Sequence, residues 1–357
     1  MNRSKRKWEH IQYALAAGQT GATGFDDLKF APNSLPNISY GNNSLGVRLG
    51  DWELSSPIIV NAMTGGSKET AEINRKLAEI AREKKLAMAV GSQMAAVREP
   101  DLAWTFQITR EVNPTGLIFA NLGAEATVEQ AERAVEMIAA DGLQIHLNVM
   151  QELLMPEGDR DFTGYLLNIE RLANSLSVPL IVKEVGFGMT RKTIRQLADA
   201  GVRLIDVGGK GGTNFAQVEN YRSERPLSMF EDWGLTTVQS LLEADCSETN
   251  GVAFIASGGI RHGLHIAKAL AMGAGATGLA GHFLRMVQTL PLEECLAKVD
   301  ELHHQLRIAM TALGASDVPA LRAVPVAIGG ETRSWAQQRG IDCQRYAARD
   351  LDERTEE

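Results

Sequence analysis

Side chains able to do chemistry recur just after short apolar, β-branched runs of this sequence. In "LQIHLN", His146 and Asn148 alternate, and Gln151 and Glu152 follow at once. Alternation sets His146 and Asn148 on one face of a strand. A lone histidine on a strand is ordinarily a satisfied core residue. The nearness of Gln151 and Glu152 points instead to a ligand-facing role. Glu152 is a single carboxylate without an acidic neighbour in sequence, which is too little for a protein-only metal cage. It suits Mg²⁺, which takes one or two carboxylates and completes its shell with substrate phosphates and water. Lys183 ends the run Pro179-Leu-Ile-Val. A buried cation there would stabilise negative charge on a bound group. A salt bridge to Glu184 is the plain alternative, but successive strand residues face opposite ways.

Small residues mark three further strand ends. "VNAMTGGS" (60–67) turns from a buried run to Ala62, Met63, Thr64, Gly65 and Gly66. Glycine lets another molecule approach the main chain closely. "SGGIR" carries Gly258, Gly259, Ile260 and Arg261, and Ala280-Gly281 follows the last apolar run. Two such loops with a helix start make an anion cradle of N–H groups. Together with Asn121 and the bare strand-one loop, they point to a planar phosphorylated cofactor. Flavin mononucleotide has that shape, with its ring edge over the strand-one loop. At the N-terminus, "RKWEH" puts Arg6, Lys7 and His10 on an arm. The arm is either a solvated tail or a flap that folds over a diphosphate.

These residues need a scaffold that gathers strand ends. Candidate strands end near Ala62, Val90, Ala120, Asn148, Glu184, Val207, Ser257 and Leu279, with amphipathic segments between them. Ile73, Leu77, Ile80 and Ala81 share one helical face. Thr127 and Gln130 have capping-box spacing, and Gly142 reads as the stop of that helix. "MTRKTIRQLADAG" ends at Gly201. Eight βα units predict an α/β fold, a (β/α)8 TIM barrel with its active site at the C-terminal strand ends. Residues 1–45 read as an N-terminal arm and 46–357 as the barrel. A long loop is expected at "NFAQVENYRSERPLSMFEDWG", and a helix from about Glu293 with a Gly- and Arg-rich tail closes the domain. Gly273, Gly275 and Gly278 match GxGxxG, but a helix precedes them and a strand follows, the reverse of a dinucleotide fingerprint.

Composition bounds the partners. A net charge of −8 speaks against general nucleic-acid binding. No apolar run approaches the ~20 residues of a membrane span, and the basic N-terminus lacks the apolar stretch of a secretory signal. Cys246, Cys295 and Cys343 are sparse and form no metal spacing, as expected in a reducing cytoplasm.

Taken in order, "RKWEH", "MTGG" (63–66), "GSQ" (91–93), "IHLN" (145–148), "QE" (151–152), "KEVGFG" (183–188), "GGKGGTNF" (208–215) and "SGGIR" resemble the type 2, FMN-dependent isopentenyl-diphosphate delta-isomerases along nearly the whole chain. The resemblance implies that Ala62, Met63, Thr64, Ser92, Asn121, Lys183, Thr213, Gly258, Gly259, Ile260, Arg261, Ala280 and Gly281 hold FMN. It implies that Arg6, Lys7, His10, Ser92, Gln93, Met94, His146 and Gln151 contact isopentenyl diphosphate. Gln151, Lys183 and His146 are the implied catalytic group, and Glu152 the implied Mg²⁺ ligand. It further implies NADPH as reductant, a cytoplasmic tetramer or octamer, and a 1,3-allylic proton shift with the reduced flavin as acid and base. That would explain why no side chains stand out as a tuned acid–base pair. The competing reading is an FMN-dependent 2-hydroxy acid oxidase. Such enzymes carry a histidine beside the glycines after strand six, where this chain reads Asp206-Val-Gly-Gly-Lys-Gly-Gly-Thr.

Overall fold

The computed structural model describes residues 3–18 and 21–351, with the backbone alone for residues 3–8 and 10. Eight parallel strands close into a barrel. They are β1 (Ile58–Val60), β2 (Ala87–Ala89), β3 (Ile118–Gly123), β4 (Gly142–Leu147), β5 (Leu180–Glu184), β6 (Leu204–Asp206), β7 (Ala253–Ser257) and β8 (Ala276–Leu279), with β8 bonded back to β1. Each ends within three residues of the position expected from sequence. The fold is the expected (β/α)8 barrel. Side chains such as Ile58, Ile59, Val60, Ile181 and Val182 are fully buried because helices cover the outside of the sheet and other strands the inside.

The N-terminal end of the barrel is plugged by an antiparallel hairpin, Val47–Leu49 with Trp52–Leu54. Leu49 is completely buried, and Trp52 packs on Phe119 at a ring distance of 4.9 Å. This plug explains Gly142. The helix Val128–Met137 has the expected Thr127–Gln130 capping box, but the chain leaves it through Ala139 at φ 45°. Gly142 instead opens β4, where a Cβ would lie 2.9 Å from the Trp52 indole. The helix Arg191–Asp199 does end at Gly201, at φ 89°. Leu28–Phe30 pairs antiparallel with Val326–Ile328, tying the two ends of the chain together.

Two expectations change. The segment after β6 is not an open loop, because Phe215–Arg222 forms a helix capped by the Asn214 side chain on Gln217 N. That helix buries Ala216, Val218, Glu219 and Asn220 in succession, so it has no one-sided apolar stripe for periodicity to find. The arm also opens with a helix, Arg3–Ala17, which packs along Phe215–Arg222 with Tyr13 and Tyr221 at a ring distance of 5.7 Å. The side chains of Arg6, Lys7 and His10 lie outside the described ones.

Candidate active site

At the C-terminal strand ends lies a cavity of about 460 Å³, within the range of cofactor and small-molecule sites. Of the sequence-derived residues, Ala62, Met63, Thr64, Ser92, Met94, Asn121, His146, Gln151, Glu152, Lys183, Thr213, Gly258, Gly259, Ile260, Ala280 and Gly281 line it. Ile11 and Ala14 of the N-terminal helix close one side, so the chain covers its own cavity. Among the sequence-derived residues with described side chains, two are not on its wall. Gln93 is fully buried behind it, donating to Ala134 O at 2.9 Å and accepting from Asn121 N at 3.0 Å. Arg261 turns its guanidinium to Gly21 O (2.8 Å) and Gly211 O (3.1 Å), pinning the chain before the barrel to the strand-six loop.

Register brings the polar residues together. His146 pairs with Lys183, and Lys183 with Asp206, across three neighbouring strands. The Lys183 ammonium donates to the Glu184 carbonyl at 2.9 Å and makes no ion pair with its carboxylate. That carboxylate instead accepts from the N–H groups of Gly186, Phe187 and Gly188. Burial pushes its pKa up to about 7 against those hydrogen bonds. Burial first, and the Lys183 charge second, bring the His146 imidazole down to about 4, so it is neutral at pH 7. Its Nδ1 lies 3.0 Å from Asn121 Oδ1.

The His146 shift fixes a pH dependence. Between pH 6.5 and about 4 the unfolded chain binds a proton that the folded chain refuses. Stability therefore rises with pH across this window and is lost as pH falls through it, by on the order of 3 kcal/mol. His146→Gln will lose less of its urea midpoint than the parent between pH 7 and 4.5. Equal losses in both proteins would show that His146 does not carry this proton.

Glu152 is held at both oxygens, accepting from Asn148 Nδ2 at 2.8 Å and from Asp159 N at 2.9 Å. Each oxygen keeps a lone pair for a cation. Among the described residues no three His, Cys, Asp or Glu side chains gather as a metal cage. Gln151 Nε2 donates to the fully buried Glu219 at 3.1 Å, which ties the short helix after β4, Val149–Leu154, to the helix after β6.

The donors present would suit a phosphate group. The helix Gly281–Thr289 starts at Ala280 with no side-chain cap, leaving its first N–H groups unclaimed by a cap at the cavity wall. Gly258 and Gly259 oppose it at φ 112° and 71°. A Cβ on either would strike Gly209 O or Gly211 O at 1.9 and 2.2 Å, so these glycines let the strand-seven loop lie against the strand-six loop. The strand-one loop is different from the expectation. Ala62 to Thr64 face the cavity, but a Cβ on Gly65 would sit 2.0 Å from Phe106, and Gly66 N donates to Thr105 Oγ1. Gly65 makes room for the helix Trp104–Val112 rather than for a ligand, and Gly66, at φ 90°, ties the loop to that helix.

The sequence alone gives Asn61, Gln144, Asp206 and Glu125 no site role, and Glu184 only that of an alternative partner for Lys183. Gln144 was reachable, since it stands two residues before His146 on the same strand face. Burial raises the Glu125 pKa at the cavity wall, and nothing in its sequence neighbourhood signals that.

The family model of FMN-dependent dehydrogenases matches residues 90–326. The isopentenyl-diphosphate delta-isomerase of Geobacillus sp. (strain WCH70) is 51% identical over 350 residues, covering 98% of this chain and 100% of the relative. That of Bacillus cereus (strain AH820) is 54% identical with the same coverage. Among solved structures, a mandelate oxidase variant with benzaldehyde superposes with a TM-score of 0.64 at 17% identity, over 90% of this chain and 94% of that one. A Pediococcus acidilactici lactate oxidase gives 0.63 at 16%, over 90% and 86%. At such identity the likeness to the oxidases shows the barrel fold alone. The chain is thus an isomerase that belongs to the FMN-dependent dehydrogenase family, among the isopentenyl-diphosphate delta-isomerases.

Proposed function

We propose that this chain converts isopentenyl diphosphate to dimethylallyl diphosphate by a 1,3-allylic proton shift, with FMN in the cavity and Mg²⁺ on the diphosphate. One observation carries the reading. A single cavity joins an uncapped helix start, a buried lysine and the His146–Gln151–Glu152 group, in a chain half identical to isomerases of that name. Gly258 to Ile260 and Ala280–Gly281 would cradle the phosphate of FMN. Ala62 to Thr64, Ser92, Asn121, Lys183 and Thr213 would line its ring. In its reduced form FMN supplies the acid–base group for the shift, and NADPH is the reductant. Neutral His146 and Gln151 orient the substrate, Met94 bounds its hydrocarbon end, and Glu152 holds the cation that neutralises its diphosphate. Arg6, Lys7 and His10, on the helix that closes the cavity, hold the same diphosphate. In this reading residues 1–45 form a cover and 46–357 the flavin barrel. The protein works in the cytoplasm as a tetramer or octamer, and exposed Met229 and Trp233 offer apolar surface for assembly. Among the described residues no helix is long and apolar enough to cross a membrane.

The direct test incubates the protein anaerobically with FMN, NADPH, Mg²⁺ and isopentenyl diphosphate and identifies the product. Dimethylallyl diphosphate is expected; unchanged substrate beside a fully loaded flavin would refute the assignment. Arg6→Ala and Lys7→Ala will each lower kcat/KM at least about tenfold with flavin content intact, since a charge-assisted hydrogen bond contributes roughly 1.5–3 kcal/mol. Parental kinetics in both variants would make the basic side chains solvated surface.

A further inference from the structure

We infer that Asp206 is a positioning residue that sets the tautomer of His146 from across the barrel, through the side-chain amides of Asn61, Gln144 and Asn121. The inference deepens the proposed role of His146 and rests on that reading for its bearing on catalysis, though not for the tautomer itself. The groups form one continuous line. Asn61 Nδ2 donates to Asp206 Oδ2 at 2.7 Å. Gln144 Nε2 donates to Asn61 Oδ1 at 3.2 Å, and Asn121 Nδ2 to Gln144 Oε1 at 3.2 Å. His146 Nδ1 stands 3.0 Å from Asn121 Oδ1.

The polarity of this line follows from its first member. Asp206 Oδ1 accepts from Ser257 Oγ at 2.6 Å and from Gly208 N at 3.1 Å, which leaves Oδ2 to accept from Asn61. Asn61 must therefore present its NH₂ to Asp206, which turns its oxygen toward Gln144. Each primary amide donates from one end and accepts at the other, so the direction is handed on. Asn121 is left with its oxygen facing His146, and a neutral imidazole meets an acceptor only with Nδ1 protonated. Nε2 then carries the lone pair. The N–H of Ala62 also donates to Asn61 Oδ1, at 2.9 Å, in the same sense. A reversed line would set oxygen against oxygen at Asp206.

The layer is polar and closed to solvent. Interiors of such barrels are filled mainly by bulky branched side chains. Here Asp206, Asn61, Gln144 and Asn121 are at most 2% exposed, too deep for solvent to rearrange them. Gly278 leaves the space, since a Cβ there would lie 2.5 Å from Asn61 Nδ2.

The test is ¹H–¹⁵N correlation spectroscopy of the FMN-loaded protein labelled in histidine, with His146 assigned by its loss in His146→Gln. The parent is expected to show protonated Nδ1 and bare Nε2. Asp206→Asn, which can donate as well as accept, and Gln144→Met, which cuts the line midway, are expected to shift His146 toward protonated Nε2. Both should lower kcat at least tenfold at unchanged flavin content and little-changed KM. A His146 that keeps protonated Nδ1 in Asp206→Asn overturns the inference. If Asp206→Asn does not fold, the same result in Gln144→Met overturns it. A parent protein without isomerase activity would refute the proposed function while leaving the tautomer result intact.

Discussion

Reduced with dithionite under strict anaerobiosis, the FMN-loaded protein will convert isopentenyl diphosphate through many turnovers with no NADPH present, and the oxidised protein will be nearly inactive. Isomerisation conserves electrons, so a reductant primes the site and is not consumed with each product. The cavity wall suits a reduced, negatively charged partner. Lys183 is 7% exposed, and its ammonium is spent on one carbonyl rather than on a carboxylate. A buried cation in a low-dielectric site acts strongly on developing charge. Lys183→Ala, refilled with FMN and reduced, should therefore lose roughly 10²–10³ in kcat, as when one stabilising donor is removed from an active site. NADPH consumed in proportion to product would defeat this account, as would full activity of the oxidised form. Turnover of lactate or glycolate with flavin reduction would favour the oxidase reading instead.

Glu152→Gln will keep its flavin and lose about a hundredfold in Mg²⁺-dependent rate. A metal contact to a phosphoryl oxygen contributes several kcal/mol, and Glu152 is the carboxylate beside Gln151 on that wall. The substitution is also felt locally. Glu152 accepts from Asn148 Nδ2 and from Asp159 N, and an amide can accept from only one of these donors. The mismatch costs about 1–3 kcal/mol of stability, so the melting temperature is read beside the rate. Loss of activity that excess Mg²⁺ partly restores is the expected signature. A parental rate with unchanged Mg²⁺ dependence would remove Glu152 from the metal.

The eight strands were legible because each is a short β-branched run closed by small or polar residues, and local pattern decides such elements. The helix Phe215–Arg222 was not, since it is buried on several sides and its polar Glu219 is satisfied by Arg222 and Gln151. Glycines were legible as places where bulk is forbidden, but not as to what forbids it. Gly65 yields to Phe106, Gly142 to Trp52 and Gly278 to the Asn61 amide, each a partner distant in sequence.

What the sequence determined by itself is the order of strand-end residues, and with it the barrel, the cradle after β7 and β8, and the grouping of His146, Gln151, Glu152 and Lys183. These follow from residue type and period, which are local properties. The tertiary structure decided which of them face the cavity. It set Gln93 behind the wall, turned Arg261 away and directed the Lys183 ammonium to the Glu184 carbonyl. It also aligned Asp206, Asn61, Gln144 and Asn121, drawn from β6, the end of β1, β4 and β3, into one hydrogen-bonded line. Such a line depends on barrel closure bringing distant strands within 3.2 Å side-chain contacts, and no spacing along the chain encodes that distance.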